Sequence, residues 1–213
     1  MKNWIVGIVL CLGIAARADL VITEVMSSSV HTNTVANGDW WELFNSGASD
    51  IDLTGYSWDD NSATAGSADF NNVTIAAGTY LIVCQETIGA EQAWREVWGI
   101  AASVPVINLG NTEFQNFGST GDEVHLYSPA LVELAAVTFG AATIGFSFEW
   151  DNAGTSLGLS VIGENGAFQA TASGGGVTGP DVGSPGTGAA IPEPGTAALL
   201  VLGAAALLRR RSR

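Results

Sequence analysis

Apolar and polar positions alternate in short runs from residue 20 to residue 161, and each run predicts a strand. The runs are Leu20–Val25, Trp40–Asn45, Tyr56–Asp59, Phe70–Ile75, Thr79–Gln85, Val104–Leu109, Glu123–Tyr127, Leu131–Phe139, Phe146–Trp150 and Leu157–Val161. Between them stand SGASD, AAGT, STGD and NAGTS, residues that favour tight turns. Many short strands at such spacing argue for a sandwich or a barrel. One segment breaks the pattern. Ala90, Ala93, Trp94, Val97 and Trp98 recur at helical spacing, which predicts an amphipathic helix stopped at Gly99, its tryptophan pair capping one end or edge of the sandwich. On the strand WWELFN, Trp41 and Leu43 share one face, while Trp40, Glu42 and Phe44 share the other. That second face is either covered, by a loop or by the Trp94/Trp98 helix, or an open aromatic platform. Glycine fills 27 of 213 positions, and the run TASGGGVTGPDVGSPGTGAA over residues 171–190 reads as a Gly-rich segment ending in a flexible linker.

Both ends of the chain read as addresses. Residues 1–18 begin with Lys2, continue with an apolar run and close on Ala16-Arg17-Ala18, which predicts a secretory signal cut by signal peptidase between Ala18 and Asp19. At the other end, residues 191–213 hold Pro192-Glu193-Pro194, an uncharged apolar stretch over 196–208, and a cluster containing Arg209, Arg210 and Arg211. Thirteen helical residues cover about 20 Å, short for a hydrocarbon core of about 30 Å, and the arginines hold their end in the cytoplasm. Such a marginal helix suits a temporary membrane stop. In order, spacing and position these residues resemble the PEP-CTERM sorting signal of bacterial surface proteins. That resemblance implies recognition by an exosortase, passage through an inner-membrane intermediate, and delivery to the cell surface or extracellular matrix of a Gram-negative bacterium.

Between the addresses, Leu20-Val21-Ile22-Thr23-Glu24-Val25 is followed by Asp39-Trp40-Trp41-Glu42-Leu43-Phe44-Asn45 and then by Ile51-Asp52-Leu53-Thr54-Gly55-Tyr56. Further on come the turn Ala77-Gly78 with the strand after it, the short helix, and Phe117-Gly118-Ser119-Thr120-Gly121-Asp122-Glu123-Val124 before a hairpin. Gly145-Phe146-Ser147-Phe148-Glu149 and Gly183-Ser184-Pro185-Gly186 close the series. Together these resemble a lamin tail domain. The resemblance implies an all-β, immunoglobulin-like sandwich with one short amphipathic helix over residues 19–170, with Trp41 and Leu43 packed between its sheets. Ala77 stands where many members have proline, and Tyr127-Ser128-Pro129-Ala130 replaces a more usual Asp-Gly hairpin turn.

Charge narrows the possible partners. Between Asp19 and Ile191 there are twenty acidic residues against Arg95 alone, a formal charge of −19. Nucleic acid is excluded as a partner, because binding it requires Lys and Arg to neutralise phosphates. Cys84, the one cysteine of this span, lies within the apolar run YLIVC and reads as a small buried hydrophobe. His31 falls in a polar loop and His125 on the outward side of a strand, so both read as solvated surface. No Gly-x-Ser-x-Gly elbow and no H-E-x-x-H helix is present. No catalytic residue and no cofactor is assigned, and the chain does not read as an enzyme. Loop carboxylates and amides leave calcium as a candidate ligand, held by Asp59, Asp60, Asn61 and Asp69 or by Glu149 and Asp151, although neither set matches the twelve-position calcium loop.

These readings converge on a non-catalytic exported surface or matrix protein that presents a binding or structural module to an exopolysaccharide or a surface protein. Two alternatives stay open: an accessory module or weak extracellular hydrolase acting in trans, and a membrane-retained structural protein.

Overall fold

The computed structural model describes residues 20–30, 38–70, 72–171 and 180–188. Among the described residues the chain is mostly β-structure with one short helix and a further single helical turn, consistent with an immunoglobulin-like sandwich. Its strands are β1 (Leu20–Met26), β2 (Trp40–Asn45), β3 (Ile51–Asp52), β4 (Ser57–Asp59), β5 (Ala68–Asp69), β6 (Thr74–Ile75) and β7 (Tyr80–Cys84). After the helix α1 (Glu91–Trp98) come β8 (Val106–Asn108), the single turn α2 (Gly110–Glu113), β9 (Asp122–Tyr127), β10 (Glu133–Phe139), β11 (Phe148–Trp150), β12 (Ser156–Leu159), β13 (Phe168–Gln169) and β14 (Val182–Gly183). A six-stranded sheet runs β12-β11-β1-β2-β7-β8, and a four-stranded sheet runs β10-β9-β4-β5. All pairings in these sheets are antiparallel except β7 with β8.

The alternation in the sequence sets the core between the sheets. Trp41 and Leu43 from β2, Leu20, Ile22 and Val25 from β1, and Trp58, Val124 and Phe139 from the other sheet all belong to one buried cluster. Trp41 meets Trp58 with ring centroids 5.3 Å apart, and Phe139 meets Phe148 at 5.4 Å. Each large ring removes enough apolar surface from water to dominate the local energetics.

A second buried cluster lies on the opposite face of the larger sheet. Met26, Trp40, Ile82 and Cys84 from the sheet pack there against Trp94, Val97 and Trp98 of α1 and against Ala170. The helix forms where its spacing predicts and ends at Gly99, which adopts φ 65° and sends its N–H back to the last turn. A left-handed residue at that position terminates the helix, and glycine takes it without a Cβ penalty.

Three expectations change. Within the run Phe70–Ile75 only Thr74–Ile75 is strand, as β6; β5 ends at Asp69 ahead of the run, and Asn72 between them stands at φ 55°. The expected linker 171–190 includes folded chain: β14 pairs with β13, and residues 181–188 lie against the larger sheet as a strap. The hairpin at Ser128-Pro129-Ala130 closes through Leu131 at φ 59°, whose N–H bonds the Ser128 carbonyl. The N-terminal signal with its Ala18/Asp19 cleavage, and the sorting signal with Pro192, Glu193, Pro194, the 196–208 stretch and Arg209–Arg211, lie outside the described residues. Among the described residues no helix is long and apolar enough to cross a membrane.

Candidate functional site

The outer face of the larger sheet gathers most of the chain's unusual chemistry. An irregularity in β1 between Ile22 and Glu24 accounts for it. A β-bulge places two successive residues opposite one on the partner strand and shifts the alternation by one. Leu20 and Ile22 point into the sandwich before the bulge and Val25 after it. Glu24 thereby sits with Met26 on the outer face, and Thr23 reaches Glu42 there through an Oγ1–Oε1 hydrogen bond of 2.7 Å.

Across this face Glu24 is the register partner of both Glu149 on β11 and Glu42 on β2. Three carboxyl groups therefore lie on three adjacent strands, and all three are buried. The strap covers them. Ser184 donates its N–H to Glu24 Oε1 at 2.7 Å and its hydroxyl to Oε2 at 3.0 Å, while Ser147 Oγ donates to Oε1 at 2.5 Å. The Gly186 N–H donates to Glu42 Oε2 at 2.5 Å. The strap can come this close because residue 183 is glycine: a Cβ there would stand 2.6 Å from Glu24 Oε1.

Burial and mutual repulsion set the protonation of these groups. Burial, then the neighbouring Glu42, holds the Glu24 carboxyl well above the usual range, against the hydrogen bonds from Ser147 and Ser184. Burial likewise pushes Glu42 up to about 8, against Thr23 and Gly186. Glu149 is raised by burial. A fourth buried carboxyl, Asp39 beside β2, is pushed up to about 7 by burial, with Asp181 and Asp122 adding to the rise.

Next to the carboxylates, Trp40 is fully buried and stands edge-on to Trp94 at 5.8 Å and Trp98 at 5.4 Å. The covered reading of this face is therefore the correct one for Trp40. Phe44 is half-buried and lies against Tyr80, ring centroids 4.7 Å apart. A recess of about 180 Å³ opens between the end of α1 and the strap, lined by Ile100, Val104, Phe168, Pro185 and Gly186 over the edge of Trp98. It contains no carboxylate and no histidine.

The calcium candidates do not converge. Asp59 is buried and accepts from Ser62 Oγ and the Thr64 N–H, and Asp60 accepts from the Ser62 N–H. Asn61 donates its N–H to Asp122, while Asp69 is exposed on β5. Asp151 accepts the N–H groups of Ala153 and Thr155 in its own turn, and Glu149 lies in the buried trio instead. Among the described residues no group of three or more His, Cys, Asp and Glu side chains could hold a metal ion.

His125 is not the solvated histidine that alternation predicts. It faces outward on β9, but its two ring nitrogens lie 2.8 Å from Glu123 and 2.8 Å from Glu133. Partial burial opposes its charge, and the two carboxylates outweigh that and raise its pKa. His31 lies outside the described residues. Cys84 is fully buried, and burial pushes its thiol up, away from reactivity.

Glu24, Glu42 and Asp39 are the residues that pattern reading passes over. The available signal was an acidic residue within an apolar strand, flanked by apolar positions on both sides in WWELFN, in a span holding a single base. A model of the lamin tail domain matches residues 14–141. No curated protein matches the chain.

Proposed function

The chain belongs to the lamin tail domain family, and from that premise we propose that it is a non-catalytic exported protein. Its sandwich serves outside the cell as a structural or binding module. The observation that carries this reading is the placement of the chain's reactive chemistry. The buried carboxylates and the Trp40 cluster are built into the packing beneath α1 and the strap. A general acid with a raised pKa must face a cleft that admits substrate. The recess beside α1 meets no such group, which favours a module over the hydrolase alternative.

The two terminal segments support export. On this reading signal peptidase removes residues 1–18, the 196–208 stretch holds the chain at the inner membrane, and an exosortase acts on the Pro192-Glu193-Pro194 region. The acidic span keeps the released domain soluble and dispersed. Its partners on the outside are an exopolysaccharide or a surface protein.

Mass spectrometry of the protein from cells and from their surrounding matrix tests the proposal. The expected result is a matrix form that begins at Asp19 and lacks the Arg209–Arg211 end. An extracellular form with an intact C-terminus overturns the sorting step. A form found only in membranes, intact at that end, supports the membrane-retained alternative instead.

A further inference from the structure

We propose that residues 181–188 form a proton-dependent latch: the strap is held on the larger sheet by Glu24 and Glu42 while these carry fewer than two charges, and it releases when both ionise. The inference concerns the folded domain alone and holds whatever the chain's destination.

The geometry carries it. Glu42, Glu24 and Glu149 occupy adjacent strands in direct cross-strand register, with no residue between them to separate like charges. Like charges directly opposite in a sheet repel, and burial removes the water that would screen them. The strap is the lid over this site and is also its donor set, through Ser184 N–H, Ser184 Oγ and Gly186 N–H. Fixing these three donors requires the acceptors beneath them to stay buried. The strap's other contacts are hydrogen bonds that involve no charge in the trio: β14 pairs with β13, the Val182 N–H donates to the Gly145 carbonyl, the Val182 carbonyl accepts from the Ser147 N–H and Ser160 Oγ, the Asp181 carbonyl accepts from the Ala170 N–H, and the Asp181 carboxylate accepts from Ser29 Oγ and the Val30 N–H.

The groups facing the trio are acidic or neutral on every side. Tyr80 from β7 is pushed up to about 12, by burial first and then by Glu42 and Glu24. Glu164, from the loop beyond β12, adds to the rise at Glu149. Asp181 begins the strap itself. No cation offsets them: Arg95 is the one Lys or Arg among the described residues, and its guanidinium donates to the Ala101 and Val104 carbonyls. Two adjacent buried carboxylates with no counter-charge cannot both ionise in place. Either a proton stays, or the lid opens and admits water.

The sign follows. A carboxyl raised in the folded state stabilises the closed form fully below its unfolded pKa, and this contribution is lost as pH rises through the folded value, about 8 for Glu42. Closure is therefore favoured in mildly acidic and neutral conditions and weakened in alkaline ones. The pH change needed is small, because between the open-form and closed-form pKa values the proton held by the closed form shifts the equilibrium by up to about tenfold per pH unit.

Hydrogen–deuterium exchange of the full-length chain, followed by mass spectrometry between pH 6 and pH 9 and corrected for intrinsic exchange rates, tests the latch. The peptide spanning residues 181–188 is expected to lose protection progressively as pH rises from 6 to 8, by up to about tenfold per pH unit, while peptides from β2 and β7 keep theirs. In the variant Glu24→Gln/Glu42→Gln, the same peptide is expected to show protection that no longer depends on pH. Should that double variant not fold, Glu42→Gln alone is expected to reduce the pH dependence. Constant protection of 181–188 in the native chain overturns the proposal. So does loss of protection in β2 and β7 at the same pH, because the strap would then open only with the whole domain.

Discussion

Trp40 joins two layers, one edge meeting Trp94 and another meeting Trp98. None of the three indole N–H groups has a hydrogen-bond partner among the described residues, so this layer is held by buried area and edge-to-face geometry. Trp40→Ala is expected to destabilise the fold by about 3–5 kcal/mol, read from urea unfolding, because a cavity that large cannot collapse under a short helix. Gly183→Ala is expected to lower the unfolding midpoint without changing the urea dependence, since its new methyl group meets Glu24 and Trp40 in a site with no free space. His125 gives a different kind of readout. With Glu123 and Glu133 at its two nitrogens, its NMR titration midpoint is expected above 6.5, and Glu133→Gln is expected to bring it down. The ion pairs are partly exposed, so their contribution to stability is small, present below the unfolded pKa and lost as pH rises.

At the scale of elements, residue periodicity reveals some parts well and others poorly, for physical reasons. The strand Trp40–Asn45 and the helix ending at Gly99 are legible because each has a regular apolar face against a buried layer. Strands β13 and β14 are not, because the strap approaches the sheet through glycine and serine, which show no alternation. A composition that reads as linker is here the condition for close approach. The bulge in β1 is likewise silent, and with it the acidic layer: strict alternation puts Thr23 and Val25 on one face, whereas the structure puts Thr23 and Glu24 on the same side. The covered state of Trp40 was legible as one of two options, decided only when α1 is placed over β2. Replacing Gly99 by alanine is expected to lower the melting temperature by a few degrees, since the left-handed conformation at φ 65° strains any residue with a Cβ.

For the molecule as a whole, the balance of charge gives a condition-dependent stability. Glu24, Glu42, Glu149 and Asp39 all have raised pKa values, so the folded state binds more protons than the unfolded chain at neutral pH. Stability is then expected to be highest in mildly acidic solution and to fall as pH rises through about 7 for Asp39 and about 8 for Glu42. A series of urea midpoints from pH 5 to pH 9 checks this, and a midpoint that climbs with pH would contradict the assignment of these carboxyls as buried and uncompensated. Added salt is expected to raise the midpoint at pH 8 by screening the repulsion among the twenty acidic residues of the span from Asp19 to Ile191.

The family match ends at residue 141, yet β1 lies between β2 and β11, and the lid over its Glu24 comes from residues 181–188. Strand β1 therefore receives its second neighbour only after Phe148 is made, and its acceptors are covered later still. Closing so long a loop is slow, because the entropy of a chain of that length is lost before the contacts form. Until then β1 presents an open edge, and a carboxyl that in the finished protein is out of water stays hydrated. A ribosome product cut after residue 141 is thus expected to be soluble but unable to complete the larger sheet, so that residues 148–188 control when folding finishes.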